Sequence, residues 1–263
     1  MRVKGKKMEK TTGITLLGLG PGNPEQLTRQ AWDWLTALDE VVLRTRQHPT
    51  VAGFPKELQV VSFDELYDQG DTFEAVYEQI VQKVLEMGAR PQGVTYAVPG
   101  HPFVAETTGP EIALRARLQG IPVRVIEGLS FIEPVYTALG IDPFPHAALV
   151  DALELSGLHT PSFPPDQPAL IAQIYSRAVA SNLKLTLNAV YSDEHPVRLV
   201  HAAGTDQQLV EDCKLYEIDR SPNLGLLSVL YLPPLAPYTS FERFQEIIAA
   251  LRAPERHDDE RHL

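Results

Sequence analysis

Cysteine is almost absent from this sequence, and that absence narrows the possible classes of protein. Cys213 is the single cysteine among 263 residues, which excludes a disulfide framework and a zinc site built from several cysteines. The apolar runs are far shorter than the roughly 20 residues that a membrane-spanning helix requires. The basic residues 1–10 are not followed by the apolar segment of a signal peptide. We therefore expect a cytoplasmic protein without a membrane partner.

Basic residues are also fewer than acidic ones. Lysine and arginine together number 23 against 34 aspartates and glutamates, which gives a formal net charge of −11. A protein that binds nucleic acid normally carries clustered lysines and arginines, and no such cluster is visible here. We therefore expect no nucleic-acid partner. The sequence also predicts no metal site.

Alternating strand-like and helix-like segments are what the sequence does contain, and they predict an α/β fold. Hydrophobic residues make up 44% of the chain, enough for a sizeable core. Strands separated by helices imply right-handed crossovers and a mostly parallel sheet. We expect an N-terminal α/β domain at 12–140 and a C-terminal α/β domain at 168–253. A proline-rich interdomain connection is expected at 141–167, with disordered tails at 1–11 and 254–263.

Individual elements follow from periodicity and capping residues. Residues 24–38 have the apolar spacing of a helix, and 71–88 form a stronger amphipathic pattern with Asp71 or Thr72 as the N-cap. In the second half, residues 205–213 are predicted to be helical and residues 214–219 to form a strand.

The stretch "LLGLGPGNPEQLT" (16–28) has the layout of a glycine loop between a strand and a helix. It fails the dinucleotide fingerprint, because Pro21 and Pro24 lack the backbone N–H groups that a phosphate would need, and Arg44 stands where an acid should end the next strand. A P-loop is also absent. Two interpretations remain open: a plain tight turn, or a loop that contacts a ligand through its backbone.

Two further loops favour the ligand interpretation. "AVPGHPFVAETT" (97–108) and "VIEGLSFIEP" (125–134) also follow strands of the first domain. The loops at the carboxyl ends of parallel strands line the ligand crevice of an open sheet. Because none of the three has a phosphate-binding pattern, we expect a ligand that is mostly uncharged at its centre.

Together these segments resemble the tetrapyrrole (corrin/porphyrin) methylase superfamily. They are most similar to the methylase-like domain at the N-terminus of MazG-type proteins. The similarity runs in order from about Gly13 to Leu251, so it is more specific than any one motif. It is carried by the three loops above, by "LRTRQHP" and "FDELYDQGDTFEAVYEQI", and by "LIAQIYSRAVASNLKLTLNAVYSDEHPVRLVHAAG" and "LYEIDRSPNLGLLSVLYLPPL" in the second half.

The resemblance implies two α/β domains with S-adenosylmethionine bound in the cleft between them, in a homodimer. It places the cofactor against all three loops and against parts of the second half. The implied cofactor-binding residues are Pro21, Gly100, His101, Val104, Ser130, Phe131, Tyr175, Ala203 and Leu227. His101 is a departure, because many relatives have aspartate there; it either alters the cofactor contacts or caps the turn.

Arg44 and Tyr67 are the candidate catalytic residues on the acceptor side. Arg44 ends the second strand, where its guanidinium would suit an anionic substrate, although a surface ion pair is the plain alternative. Tyr67 follows the third strand in a segment that reads as a loop. Tyr77, by contrast, lies on the apolar stripe of its helix and is expected in the core.

Three functions remain open at this stage. The first is an S-adenosylmethionine-dependent methyltransferase acting on a small-molecule or peptide acceptor. The second is a cofactor-binding or regulatory domain that serves a MazG-type nucleotide pyrophosphohydrolase. The third is a peptide-backbone N-methyltransferase like the borosin enzymes, which have arginine where this chain has Phe73. That difference counts against the third function.

Overall fold

The computed structural model describes residues 12–70 and 72–235. The tails expected at 1–11 and 254–263 lie outside these residues, as does the last part of the expected C-terminal domain. Within the described part, no helix has the length and apolar character needed to cross a membrane.

The chain divides into two compact units. One comprises Met1–Asp142 together with Val200–Glu211, and the other comprises Pro143–Leu199 together with Asp212–Leu263. The first unit therefore takes in a short segment from the second half of the chain, which the expected contiguous domains did not include.

The first unit is built on a five-stranded sheet whose pairings are all parallel, as the sequence predicted. The strand order is β3-β2-β4-β1-β5. Both faces are covered, because Ile14 and Leu16 of β1 pack in one core cluster while Leu17 packs in another. The strands are β1 (Ile14–Gly18), β2 (Glu40–Leu43), β3 (Gln59–Ser62), β4 (Val94–Val98) and β5 (Val123–Ile126).

Five α-helices connect or follow these strands: α1 (Arg29–Leu35), α2 (Asp64–Gln69), α3 (Phe73–Gly88), α4 (Thr108–Leu118) and α5 (Ile132–Leu139). The single helix predicted at 24–38 is wrong: a short 3-10 helix (Pro24–Gln26) precedes α1. Thr28 separates the two, because its backbone is extended and its hydroxyl caps α1 by accepting a hydrogen bond from Ala31 N at 3.1 Å.

The amphipathic pattern at 71–88 is confirmed as α3. Val76, Ile80 and Val84 share its buried face. Thr72 is the N-cap, and its hydroxyl accepts a hydrogen bond from Ala75 N at 3.2 Å. Asp71, the alternative cap, lies outside the described residues.

The second sheet has the order β6-β7-β10-β8-β9 and is mixed, since β6 pairs with β7 in parallel and β7 pairs with β10 antiparallel. Its core cluster includes Ile171, Leu183 and Leu230. The elements of this half are β6 (Ala148–Asp151), α6 (Ala152–Ser156), β7 (Ala169–Ala172), α7 (Arg177–Leu187), β8 (Pro196–His201), β9 (Leu209–Lys214) and β10 (Ser228–Leu232).

Two predictions in this half are wrong. The predicted helix at 205–213 is largely strand β9, and the predicted strand at 214–219 is a 3-10 helix (Leu215–Arg220). Strand β9 pairs with β8 at the edge of the second sheet, and Arg198 of β8 also bonds Asp212 of β9 at 2.8 Å. Such pairs join residues that local periodicity cannot relate.

The stretch 141–167, expected as a connection, contains regular structure. It holds β6 and α6, and β6 forms one edge of the second sheet. The side chain of Asp151 caps α6 by accepting a hydrogen bond from Leu153 N at 2.7 Å. This stretch is therefore part of the second unit and not merely a linker.

Candidate functional site

The three predicted loops of the first unit meet at three glycines. A Cβ atom on Gly18, at the end of β1, would lie 2.6 Å from Gly100 O and 2.5 Å from Gly128 N. Gly100 belongs to the loop after β4 and Gly128 to the loop after β5. Only glycine fits such an approach, so the loops are in backbone contact at the carboxyl edge of the sheet.

Gly100 also borders open space. Its φ is +67°, and a Cβ placed on it would meet nothing closer than Leu129 O and Ser130 Cα, both at 4.0 Å. A side chain at this position would therefore occupy the space above the third loop. We call this space beside Gly100, bordered by Leu129 and Ser130, the cradle. It is the type of site that the sequence predicted for a ligand bound through backbone contacts.

His101 caps the turn of the second loop. Its Nδ1 atom accepts a hydrogen bond from Phe103 N at 3.1 Å, and its carbonyl accepts one from Val104 N at 3.2 Å. In the neutral imidazole this assigns the proton to Nε2. Of the two roles considered for His101, turn capping is thus seen directly, and a cofactor contact stays a prediction.

Ser130 is engaged in starting helix α5. Its hydroxyl accepts a hydrogen bond from Ile132 N at 3.0 Å, while Glu133 accepts from Ser130 N at 2.9 Å and from Ser130 Oγ at 2.6 Å. These bonds tie Ser130, which precedes the N-cap Phe131, to the first turn of α5. A ligand contact at Ser130, or at the neighbouring Phe131, would therefore rely mainly on the loop backbone.

A fourth loop, 202–205, joins the first loop within the first unit. A Cβ on Gly204 would lie 2.8 Å from Gln26 Oε1 and 3.0 Å from Pro134 Cβ, and one on Gly22 would lie 2.9 Å from Thr205 Cγ2. Ala203, a candidate cofactor residue, stands in this loop and is nearly buried. The structure thus brings Ala203 into the same unit as the three glycine loops.

Backbone strain is concentrated beside candidate cofactor residues. Among the described non-glycine residues, only Ala105, Gln173 and Ala202 have positive φ, at 50°, 66° and 46°. Each lies within two residues of Val104, Tyr175 or Ala203. Such conformations cost about 1–3 kcal/mol each and are frequent at ligand sites. The strain therefore agrees with the choice of these loops.

The remaining candidates are placed as follows. Pro21 is buried in the first loop. Tyr175 and Leu227 belong to the second unit, where Tyr175 directly precedes Ser176, the N-cap of α7, and Leu227 is 42% exposed. Their contribution to a cofactor site stays a prediction.

Arg44 is not a free cation at the strand end. Its Nη1 donates to Oε2 of Glu106, whose side chain is only 2% exposed, while that of Arg44 is 22% exposed. Burial is the largest single influence and lowers the pKa of Arg44, but Glu106 and the nearby Tyr67, Tyr96 and Tyr77 together more than offset it, so the pKa is raised and the guanidinium stays protonated. Sequence reasoning missed Glu106 because the two residues are 62 positions apart.

Glu106 also anchors the beginning of helix α4. Its Oε1 accepts hydrogen bonds from Thr108 N, at 3.0 Å, and from the Thr108 hydroxyl. The Thr108 hydroxyl lies 2.9 Å from the hydroxyl of the fully buried Tyr96. A continuous polar chain thus connects Arg44, Glu106, Thr108 and Tyr96. The signal available in the sequence was an acid two residues before a helix-initiating threonine.

Tyr67 lies on helix α2 and not in a loop as predicted. Its ring forms edge contacts with Phe73 and Tyr77, at centroid distances of 6.5 Å and 6.3 Å. Burial raises the pKa of Tyr67 to about 12, although the positive charge of Arg44 opposes that effect. Tyr67 and Arg44 are therefore close enough for the charge of Arg44 to act on the Tyr67 phenol. Tyr77 packs against the core, as expected.

His48 is buried beside this cluster. Burial and the charge of Arg44 lower the pKa of His48 from 6.5 to about 4, so the imidazole is neutral near pH 7. Within the described part of the chain, neither His48 Nδ1 nor Arg44 Nε has a hydrogen-bond partner. A buried water is the usual partner for such groups.

Two other features of the described residues bear on the location of the site. No group of three or more His, Cys, Asp or Glu side chains is placed to hold a metal ion there. A surface cavity of about 330 Å³ lies among β3, α2 and α3, and its lining includes Phe63, Lys83 and Arg90 but none of the candidate residues.

The parallel sheet and its glycine loops thus define an α/β protein of the type that binds ligands at strand ends. The sequence profile of the family Tetrapyrrole (Corrin/Porphyrin) Methylases matches residues 13–219. The chain belongs to this family, which confirms the superfamily part of the resemblance seen in the sequence.

One curated relative is the uncharacterized protein YabN of Bacillus subtilis (strain 168). It is 37% identical to this chain over 246 residues, which cover 92% of this chain and 50% of that protein. The chain therefore spans about half the length of this relative.

Solved structures share the fold. Uroporphyrin-III-C-methyltransferase from Thermus thermophilus is similar with a TM-score of 0.63 and 23% identity, over 85% of this chain and 93% of that one. A complex of the Thermus enzyme with S-adenyl homocysteine has a TM-score of 0.57 and 20% identity, over 84% and 97% of the two chains. Diphthine synthase has a TM-score of 0.62 and 19% identity, over 88% and 93%.

Proposed function

We propose that this protein is an S-adenosylmethionine-dependent methyltransferase. The observation that carries the proposal is the backbone contact of three strand-end loops at Gly18, Gly100 and Gly128, with open space beside Gly100. Because the chain belongs to a methylase family, we assign that cradle to the methyl donor. A bound S-adenyl homocysteine in one structural neighbour agrees with the choice of cofactor.

The residues of the cradle fit such a cofactor. It is bordered by backbone atoms of Leu129 and Ser130, and a Cβ at Gly100 would fit there at ordinary van der Waals distance. The residues proposed to hold the cofactor are Pro21, Gly100, His101, Val104, Ser130, Phe131, Ala203, Tyr175 and Leu227. S-adenosylmethionine supplies an activated methyl group that an in-line displacement transfers to a nucleophile. The contribution of the protein is then mainly to align the two reactants.

Arg44 and Tyr67 are proposed to orient the acceptor. With a pKa of about 12, the Tyr67 phenol keeps its proton near pH 7 and acts as a hydrogen-bond donor or acceptor, not as a base. The Arg44 guanidinium has N–H groups beyond the one that Glu106 uses, and these can point a polar acceptor group toward the glycine loops. Neither residue is required to hold the cofactor.

Calorimetry on the full chain tests the cofactor. We expect saturable binding of S-adenosylmethionine and of S-adenosylhomocysteine, and none of NAD or ATP. Binding of a dinucleotide without binding of either sulfur compound would contradict the proposal. Transfer of a radiolabelled methyl group from the cofactor into components of a cell extract would then reveal the chemical class of the acceptor.

A second candidate function is a cofactor-binding or regulatory domain that works with a MazG-type nucleotide pyrophosphohydrolase. The supporting observation is that this chain aligns with only half of its Bacillus subtilis relative. The two functions differ in turnover, since a regulatory domain binds the cofactor without consuming it. Steady release of S-adenosylhomocysteine in the presence of extract favours the enzyme.

We also propose that the protein is a cytoplasmic homodimer, as expected from the sequence.

The peptide-backbone methyltransferase has less support, because Phe73 is a half-exposed ring packed near Tyr67 and Tyr77 and offers no charge.

A further inference from the structure

Glu106 determines the net charge of the acceptor side. Its carboxylate lies almost completely out of solvent and pairs with Arg44, the cation that the sequence singles out at the strand ends. A buried carboxylate fixed by three hydrogen-bond donors, from Arg44 and Thr108, is not easily displaced by a carboxylate from solution. The Arg44–Glu106 pair therefore offers N–H donors but carries no net charge.

The neighbouring cations are engaged as well. The Arg46 guanidinium donates to Val60 O, and Arg46 N donates to Asp64 Oδ2 at 2.9 Å. Arg124 lies near the amino end of β5, opposite Thr15 of β1, and therefore adds no cation to these strand ends. The Arg44–Glu106 pair has no net charge and Asp64 lies beside Arg46, so the positive charges at these strand ends are largely compensated.

Aromatic rings complete the surroundings of Arg44. Tyr67, Phe73 and Tyr77 form a cluster with centroid distances between 6.2 Å and 6.5 Å, and Phe73 is 57% exposed. The Tyr67 phenol is uncharged near pH 7. The chemistry next to the guanidinium is therefore apolar and neutral, and it suits a partner with an apolar body and an uncharged polar group.

We propose that Glu106 is a positioning and specificity-determining residue, which neutralises Arg44 so that the acceptor side takes an uncharged carbonyl- or amide-bearing acceptor and rejects polycarboxylates. This inference rests on the proposed function for the meaning of the site, and it adds the class of acceptor. Removal of the Glu106 charge would leave the guanidinium without its counter-ion, and the site would then attract anions.

Uroporphyrin III is a suitable probe, because it is fluorescent and carries several carboxylates. Its binding is measured for the wild type, Glu106→Gln, and the double variant Glu106→Gln with Arg44→Gln. We expect the wild type to bind weakly or not at all, the single variant to bind at least tenfold more tightly, and the double variant to lose that gain. Glu111→Gln is the matched control, since it removes the same charge from an exposed pair with Arg115 and should gain nothing.

Several outcomes would overturn the inference. One is micromolar binding of the porphyrin to the wild type that Arg44→Gln abolishes. Another is a folded Glu106→Gln variant with no gain in affinity, or a gain of the same size in Glu111→Gln. If circular dichroism shows that Glu106→Gln does not fold, the wild-type titration decides alone. Calorimetry with S-adenosylhomocysteine runs in parallel, so failure of the proposed function is recognised separately.

Discussion

Gly20 and Gly100 join the first two loops by exchanging backbone hydrogen bonds. Gly20 N donates to Gly100 O at 3.2 Å, and Gly100 N donates to Gly20 O at 2.8 Å. Both residues have left-handed φ angles, of +72° and +67°. Because this exchange uses the backbone of Gly100 and leaves its Cβ direction open, the residue both anchors its loop and borders the space assigned to the cofactor.

Substitution of Gly100 by valine is expected to block cofactor binding. The valine side chain would fill the space above Leu129 and Ser130, where a Cβ now has no neighbour closer than 4.0 Å. Calorimetry with S-adenosylhomocysteine should show at least a tenfold loss of affinity, equivalent to about 1.4 kcal/mol. Unchanged affinity would remove this loop from the site.

Gly120→Val is the matched control for this experiment. Gly120 has a similar φ of +71°, and a Cβ there meets nothing within 4 Å and so has no steric conflict either, but the residue lies just beyond helix α4 and outside the loops. Both variants carry the cost of a left-handed valine, so both should unfold more easily. Only Gly100→Val should lose cofactor affinity, which separates the local effect from strain.

Tyr67→Phe is expected to reduce turnover without affecting cofactor binding. The substitution keeps the ring contacts with Phe73 and Tyr77 and removes only the hydroxyl. Affinity for S-adenosylhomocysteine should stay within about twofold, while methyl transfer to the acceptor class found in extracts should fall about tenfold, because the loss of one orienting hydrogen bond of about 1.4 kcal/mol is a factor of ten. Equal losses of both would mean that Tyr67 supports the fold and does not contact the acceptor.

Arg44 requires a different design, because it is paired with a buried carboxylate. Arg44→Ala alone would leave Glu106 buried and unpaired, at a cost of about 3–5 kcal/mol of stability. The double variant Arg44→Gln with Glu106→Gln removes both charges and avoids that penalty. We expect it to fold and to bind S-adenosylhomocysteine but to have lost most methyl transfer. Wild-type turnover in this variant would place the acceptor pocket elsewhere.

His48 should make stability depend on pH. Its folded-state pKa of about 4 lies below the usual 6.5, so between these values the unfolded chain binds more protons than the folded one. Above pH 6.5 His48 is neutral in both states and does not affect the free energy of unfolding. As the pH falls toward 4, only the unfolded chain takes up the proton, so the free energy of unfolding decreases by at most about 3 kcal/mol. Urea unfolding between pH 4.5 and 7.5 measures this slope.

His48→Gln identifies the contribution of this residue. Carboxylates also titrate toward the acid end of this range, so the informative quantity is the difference between the two pH profiles. We expect the variant to have a flatter profile between pH 4.5 and 6.5 than the wild type. Parallel profiles would mean that His48 is not held neutral by burial and by Arg44.

Local patterns predicted the first unit well. The apolar spacing of α3 and the placement of three loops after strands depend on residues close together in the chain, and the parallel sheet follows from strand–helix alternation. Trp32 and Trp34 are two positions apart on α1 and therefore lie on different faces of that helix. The structure buries Trp34, whose Nε1 donates to Thr95 Oγ1 at 3.1 Å, and leaves Trp32 40% exposed.

Long-range pairing set the limits of that reasoning. Strand β9 was predicted as a helix because its partners lie on another strand. The role of Glu106 stayed hidden because its pairing with Arg44 spans 62 residues. The meeting of Gly204 with Gln26 and Pro134 likewise joins distant parts of the chain. A single sequence holds no local signal for such contacts, and these are the contacts that shape the site.

A homodimer is expected from the apolar surface of the segment 144–158. Phe144 is 82% exposed, Leu149 on edge strand β6 is 58% exposed, and Leu158 is 45% exposed. An exposed apolar edge of this type usually marks an interface, and an obligate one buries about 2,000 Å² or more. Light scattering at micromolar concentration should give the mass of a dimer, and Leu149→Lys should lower it toward that of a monomer. Leu118→Lys, at an 80% exposed position on helix α4, should leave the dimer intact. A monomeric wild type would refute the dimer, and a dimeric Leu149→Lys variant would place the interface on another surface.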